Sequence, residues 1–218
     1  MKHTHSFAVV GAIVFALSAT GMSAPIVQTE TLSFSLSPGG ATLTFDQFDT
    51  LGGTRTLEQV LVELNLTEQA NVTAENDSAL DGNMSVGLTG NATGTAPGMS
   101  VAAAINTSTA GVAVDPSDGN SGSGPDFHDF GIVSGSDTAS DSLHYLTDNL
   151  SAYVGGGTVD FVIIASGGFA VSGVTDSTTI VSSFGASGDG TLTYVWTPEP
   201  GSLSLLGLGA LALIRRKR

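Results

Sequence analysis

The chain has 218 residues, a formal net charge of −14, 41% hydrophobic residues, 29 glycines and no cysteine. The acidic balance argues against a nucleic-acid partner, because such a surface repels phosphate. The missing cysteines exclude disulfides, a thiolate nucleophile and thiolate-bound metal, while the apolar content is too high for a disordered chain.

The first residues carry a processing pattern. Lys2, with His3 and His5, gives a short basic start, and an apolar stretch of 13 residues runs from Phe7 to Ala19. Small residues from Ser18 to Ala24 follow. Residues 1–24 therefore form a secretory signal peptide, cleaved after Gly21 or after Ala24; an uncleaved anchor is the alternative.

Residues 25–197 form one exported domain, long enough to bury a core. Within it Arg55 is the one Lys or Arg against 19 acids, a net charge of −18. The acids are scattered, as on a solvated acidic surface that favours solubility and divalent cations.

Alternating apolar residues mark strands along this domain. Leu32, Phe34 and Leu36 fall on one face of Thr31–Leu36, and Leu43, Phe45 and Phe48 follow beyond a Ser37–Gly40 turn. The clearest period of two lies in Glu58–Thr67, with Val60, Val62, Leu64 and Leu66 on one face. Shorter strands are expected at Asn71–Ala74, Met84–Leu88 and Met99–Ile105. The last third adds Thr158–Ala165, Gly168–Val174, Thr178–Phe184 and Thr191–Trp196, with Leu192, Tyr194 and Trp196 sharing a face. Gly155–Gly157, Gly167–Gly168 and Gly185–Gly190 are expected as turns. One short helix is expected around Asp141–Leu150, and Asp115–Asp126 is expected as a long surface loop. Many short strands with glycine-rich turns predict an all-β, antiparallel β-sandwich, of jelly-roll or Ig-like type.

Four groups of residues are candidates for chemistry. Asp115, Asp118, Asn120 and Asp126, with Asp129 beyond, supply oxygen ligands suited to Ca²⁺, although their spacing does not match an EF-hand and a solvated turn uses the same residue types. His128 and His144 with Asp126 and Asp129 are a second set, at no zinc spacing. No Gly-x-Ser-x-Gly elbow occurs, and scattered carboxylates cannot reveal a glycosidase pair, so no catalytic residue is assigned. Asn-x-Ser/Thr sequons at Asn65, Asn71, Asn76, Asn83, Asn91, Asn106 and Asn149 are what a chain rich in Asn, Ser and Thr shows by chance.

The tail is the most specific segment. Pro198-Glu199-Pro200 precedes an apolar run of 13 residues, Ser202–Ile214, and the chain closes on Arg215, Arg216, Lys217 and Arg218. As a short apolar helix the run would span roughly 20 Å, less than the ~30 Å core of a bilayer. The four cations stay on the cytoplasmic side and stall the tail during export. The two prolines keep helix from propagating back through Glu199, leaving that segment extended and accessible outside the membrane. A helix packed on the domain, or a plain tail anchor, are the alternatives.

Pro198 to Arg218 resembles the PEP-CTERM sorting signal of Gram-negative bacteria. The resemblance implies transient anchoring in the inner membrane, recognition by an exosortase, and delivery to the cell surface in a setting of exopolysaccharide production. Residues 26–197 resemble the choice-of-anchor E domain, through Leu32-Ser-Phe-Ser-Leu36, Leu43-Thr-Phe-Asp-Gln-Phe48, the Leu57–Leu66 strand, Gly157-Thr-Val-Asp-Phe161 and the Thr-Leu-Thr-Tyr strand that enters the tail. That group carries no activity to transfer. The expectation is a structural or adhesive surface protein associated with exopolysaccharide or biofilm. A secreted polysaccharide-acting hydrolase or a Ca²⁺-dependent carbohydrate-binding module is the alternative.

Overall fold

The computed structural model describes residues 23–199. Residues 1–22 of the expected signal peptide (1–24) and the apolar tail helix lie outside these residues; Ser23 and Ala24 are described. Nine strands follow in chain order: β1 (Ile26–Ser35), β2 (Gly39–Asp46), β3 (Arg55–Asn76), β4 (Gly82–Ala96), β5 (Met99–Ser108), β6 (Val112–Val114), β7 (Phe127–His144), β8 (Thr158–Ser172) and β9 (Ser177–Pro198). One sheet has the order β1-β9-β3-β7 and the other β2-β8-β4-β5, with the short β6 paired to β4.

The antiparallel pairs are nested. β1 pairs with β9, β2 with β8, β3 with β7 and β4 with β5. This is one long hairpin rolled into two sheets, and rolling adds the β3–β9 and β4–β8 pairs. The result is a jelly roll, the first of the two sandwich types expected. The hairpin tip is Pro97-Gly98 between paired Ala96 and Met99. Proline fixes φ near −65°, and Gly98 takes φ 76°, the combination a type II turn requires.

The alternation in β3 does what its pattern predicts. Val60, Val62, Leu64 and Leu66 are all fully buried, and the same face continues through Ala70, Val72 and Ala74. They meet Phe161, Ile163, Leu88 and Val86 of the other sheet in one core cluster. Tyr194 on β9 donates its hydroxyl hydrogen to the Asp46 carbonyl of β2 (2.9 Å), tying one sheet to the other. Burial, reinforced by the Asp46 carboxylate, pushes that hydroxyl up to about 12, so it stays a donor. Tyr153 donates to the Pro97 carbonyl at the hairpin tip (2.7 Å).

Several expectations are corrected. Gly167–Gly168 and Gly185–Gly190 are not turns; they lie inside β8 and β9, so the four strands expected in the last third are two long ones. Two of these glycines, Gly167 and Gly190, make room between the sheets. A Cβ at Gly190 would meet Phe161, and one at Gly167 would overlap the Glu68 carboxylate. β9 also absorbs an extra residue where its register against β3 shifts between Gln69 and Asn71, and Ser183 there takes φ 56°. Asn71–Ala74 is likewise the continuation of β3.

The helix expected at Asp141–Leu150 is absent. Asp141 and Leu143 are strand residues opposite Val62 and Val60. A turn at His144 follows, where Thr147 and Asp148 donate backbone N–H groups to the His144 carbonyl, and then one 3-10 turn, Ser151–Tyr153. The Asp148 carboxylate accepts from the His144 N–H (2.9 Å) and from Thr147 (2.7 Å), and these bonds hold it below the usual carboxylate range.

β7 carries no apolar alternation to mark it in the sequence, because its inward face reads Val133, Gly135, Asp137, Ala139, Asp141, Leu143. The two acids accept backbone N–H groups of β5 across the seam between the sheets: Asp137 from Ala104 (2.7 Å) and Asp141 from Ser100 (3.0 Å). They occupy donors that an open sheet edge would otherwise offer to another chain.

Candidate functional site: the sorting-motif pole

β1 and β9 are antiparallel neighbours, with Ile26 opposite Tyr194. The beginning and the end of the domain therefore emerge at one pole. Just before β1, Ser23 donates its hydroxyl to the Trp196 carbonyl (2.6 Å), and Trp196 donates its indole N–H to the Ala24 carbonyl (3.1 Å). Ser23 and Glu199, the first and last described residues, therefore lie at the same pole.

The motif itself starts inside the sheet. Pro198 is the last residue of β9 and stands opposite Arg55 of β3. Glu199 donates its N–H to the Thr54 carbonyl (3.0 Å), and Thr56 donates its hydroxyl to the Glu199 carboxylate. Thr50 organises the receiving loop, its carbonyl accepting from Gly53, Thr54 and Arg55. Leu51, Gly52 and Gly53 all take positive φ there, which lets the loop turn back within reach of Glu199. The expected extended backbone is found at Pro198–Glu199. Both residues are half-buried. Pro200, Arg215, Arg216, Lys217 and Arg218 lie outside the described residues.

Arg55 stacks its guanidinium on the Trp196 ring, 4.5 Å from the centroid. Trp196 is half-buried and leans on Phe48. A surface cleft of about 400 Å³ lies beside it, lined in part by Arg55, Leu57, Tyr145, Asp148 and Leu150. A second cleft of about 530 Å³, around Phe34, Gln69 and Phe184, has no titratable lining residue.

The remaining sequence-predicted residues sit elsewhere. β3 runs from Arg55 to Asn76, so the loop of residues 115–126 lies at the opposite pole, on the order of 60 Å away at 3.3 Å per residue. There the structure brings Asp118 and Asp126 together: Asp126 accepts the Asp118 N–H (2.8 Å). Asp115 contributes its backbone, accepting from the Asn76 amide (2.8 Å), while its side chain is exposed. Asn120 donates its N–H to Asp118 (2.7 Å), and Asp129 accepts from Gly131 in its own turn (2.8 Å). His128 and His144 stand near opposite ends of β7, on the order of 50 Å apart, against Phe130 and Tyr145. Among the described residues no three His, Asp or Glu side chains converge as a ready-made metal cluster.

Two acids escaped the sequence reading. Glu75 is buried and accepts the Gly122 N–H (2.9 Å), pinning the loop to β3. Glu68 is fully buried between the sheets, neither carboxylate oxygen has a hydrogen-bond partner, and desolvation raises it to about 7. Its signal was present, since position 68 continues the inward series 60, 62, 64, 66.

Among the described residues no helix is long and apolar enough to cross a membrane. No curated protein and no solved structure matches the chain. Residues 197–218 match the family model of the PEP-CTERM protein-sorting motif. The match begins at Thr197, within β9, so domain and motif abut without a linker. The chain thus carries the sorting motif of exported Gram-negative proteins that exosortases process.

Proposed function

We propose that this protein is a structural or adhesive component of the cell surface or extracellular matrix, held in contact with exopolysaccharide after exosortase processing. The observation that carries this reading is the direct fusion of an acidic jelly roll to the sorting motif. A domain with net charge −18 between residues 25 and 197 stays soluble and unaggregated in a crowded matrix. Of the two clefts described above, one brings a single carboxylate, Asp148, and the other none, where a glycosidase uses a facing pair. The resemblance to the choice-of-anchor E group favours the same role, a delivered domain whose anchor varies.

The test compares the full-length chain with a variant in which Pro198, Glu199 and Pro200 are all alanine, in an exosortase-bearing host that makes exopolysaccharide. The parent is expected at reduced mass in the surface and matrix fractions, and the variant at full mass in the inner membrane. Identical mass and distribution would overturn the sorting reading. Parent protein that is processed but fails to sediment with exopolysaccharide would overturn the matrix role alone.

A further inference from the structure

We propose that Asp118 and Asp126 form the core of a Ca²⁺ site in the loop of residues 115–126, at the pole far from the sorting motif. Asp126 is fully buried, and its Oδ2 accepts the Asp118 N–H (2.8 Å). Its Oδ1 is also buried and has no hydrogen-bond partner. A buried, unpaired carboxylate oxygen is costly unless a cation or donor meets it. Among the described residues no Lys or Arg lies there. Arg55, the one Lys or Arg between residues 25 and 197, lies at the other pole on Trp196.

The orphaned oxygen points at a second carboxylate. A Cβ placed on Gly124 would fall within 3.0 Å of both Asp126 Oδ1 and Asp118 Oδ2. The two oxygens are therefore no more than about 5 Å apart, the span one Ca²⁺ covers at ligand distances of about 2.3–2.6 Å. Gly124, at φ 115°, is what leaves that space open. Asp118 Oδ1 is engaged by the Asn120 N–H (2.7 Å), which orients Oδ2 toward the gap. With two carboxylates supplied by the chain, water and loop oxygens complete a shell of 6–8. Such a flexible, mostly hydrated shell suits Ca²⁺ better than Mg²⁺, which demands near-ideal octahedral geometry. The site is independent of the matrix role proposed above.

The test is calorimetric titration of the purified full-length chain with CaCl₂, together with thermal unfolding in CaCl₂ and in chelator. The expected result is one saturable ion per chain, with a Kd of about 10⁻⁴–10⁻³ M as in extracellular modules, and a higher Tm in CaCl₂. Asp126→Asn and Asp118→Asn are expected to weaken binding at least tenfold, and Asp160→Asn, an exposed acid on β8, to leave it unchanged. Asp118 is exposed, and its side chain holds the Asn120 N–H, so Asp118→Asn decides the matter if Asp126→Asn fails to fold. Absence of saturable binding, a Tm indifferent to chelator, retained binding in Asp118→Asn, or equal affinity for MgCl₂ would each overturn the assignment.

Discussion

Glu68 offers the sharpest test of how this core is built. Its carboxyl sits between the sheets where Gly90 and Gly167 leave room, with no donor for either oxygen. Burial raises its pKa from 4.5 to about 7. The sign follows from proton binding. Below pH 4.5 the group is protonated folded and unfolded, and it imposes no penalty. Between pH 4.5 and 7 the unfolded chain ionises while the folded one keeps its proton, so stability falls as pH rises. Above pH 7 the penalty is constant. At 1.36 kcal/mol per pKa unit its upper limit is about 3 kcal/mol, and water penetration on ionisation sets the expectation at about 1–3 kcal/mol. Glu68→Gln keeps the shape and removes the charge. Its stability relative to the parent should be level near pH 4 and greater by that amount at pH 8, or roughly 2–10 °C in Tm for a domain this size. Unfolding across pH 4 to 8, followed by circular dichroism on both full-length proteins, measures the difference. A difference that stays flat over this range would refute the reasoning, since no other group titrates in one protein and not in the other.

Other outcomes follow from single contacts. Leu64→Ala, at a fully buried position on the central strand β3, should cost about 2–5 kcal/mol in denaturant unfolding. Gly90→Ala should destabilise by about 1–3 kcal/mol in the parent and much less in a Glu68→Ala background, because the new methyl overlaps the Glu68 carboxylate; equal losses in the two backgrounds would place the clash elsewhere. Asp137→Ala strips the Ala104 N–H of its acceptor and should cost about 1–3 kcal/mol, with increased self-association in light scattering as the β5 edge opens. Tyr194→Phe removes the hydroxyl tie to Asp46 between the sheets and should cost about 1 kcal/mol at neutral pH.

Much of the sandwich was legible because burial leaves a period-two trace wherever a strand has one apolar face. Val60 to Leu66 and Leu192 to Tyr194 are such traces, and both are core. The misreadings share a cause. A residue that serves the gap between sheets does not advertise it locally. Gly167 and Gly190 resemble turn residues, yet each is a small residue opposite a large one. Asp137 and Asp141 resemble loop acids, yet they cap a neighbouring edge across the seam. In the acid loop, the residue types suggested a cation, while only folding joined Asp118 to Asp126 and left Asp115 and Asn120 with exposed side chains.

By itself the sequence determined the sorting tail, the acidic charge and the all-β class. Each is a property of local order or of totals: a motif in consecutive residues, a charge sum, a period of two. The tertiary structure decided the rest. Nested pairing of β1 with β9, β2 with β8, β3 with β7 and β4 with β5 chose a jelly roll over an Ig-like sandwich. It brought Ser23 and Glu199 to one pole and locked Glu199 onto Thr54 and Thr56. Pairings between residues more than a hundred positions apart depend on how a long hairpin rolls, and no stretch of neighbouring residues encodes that.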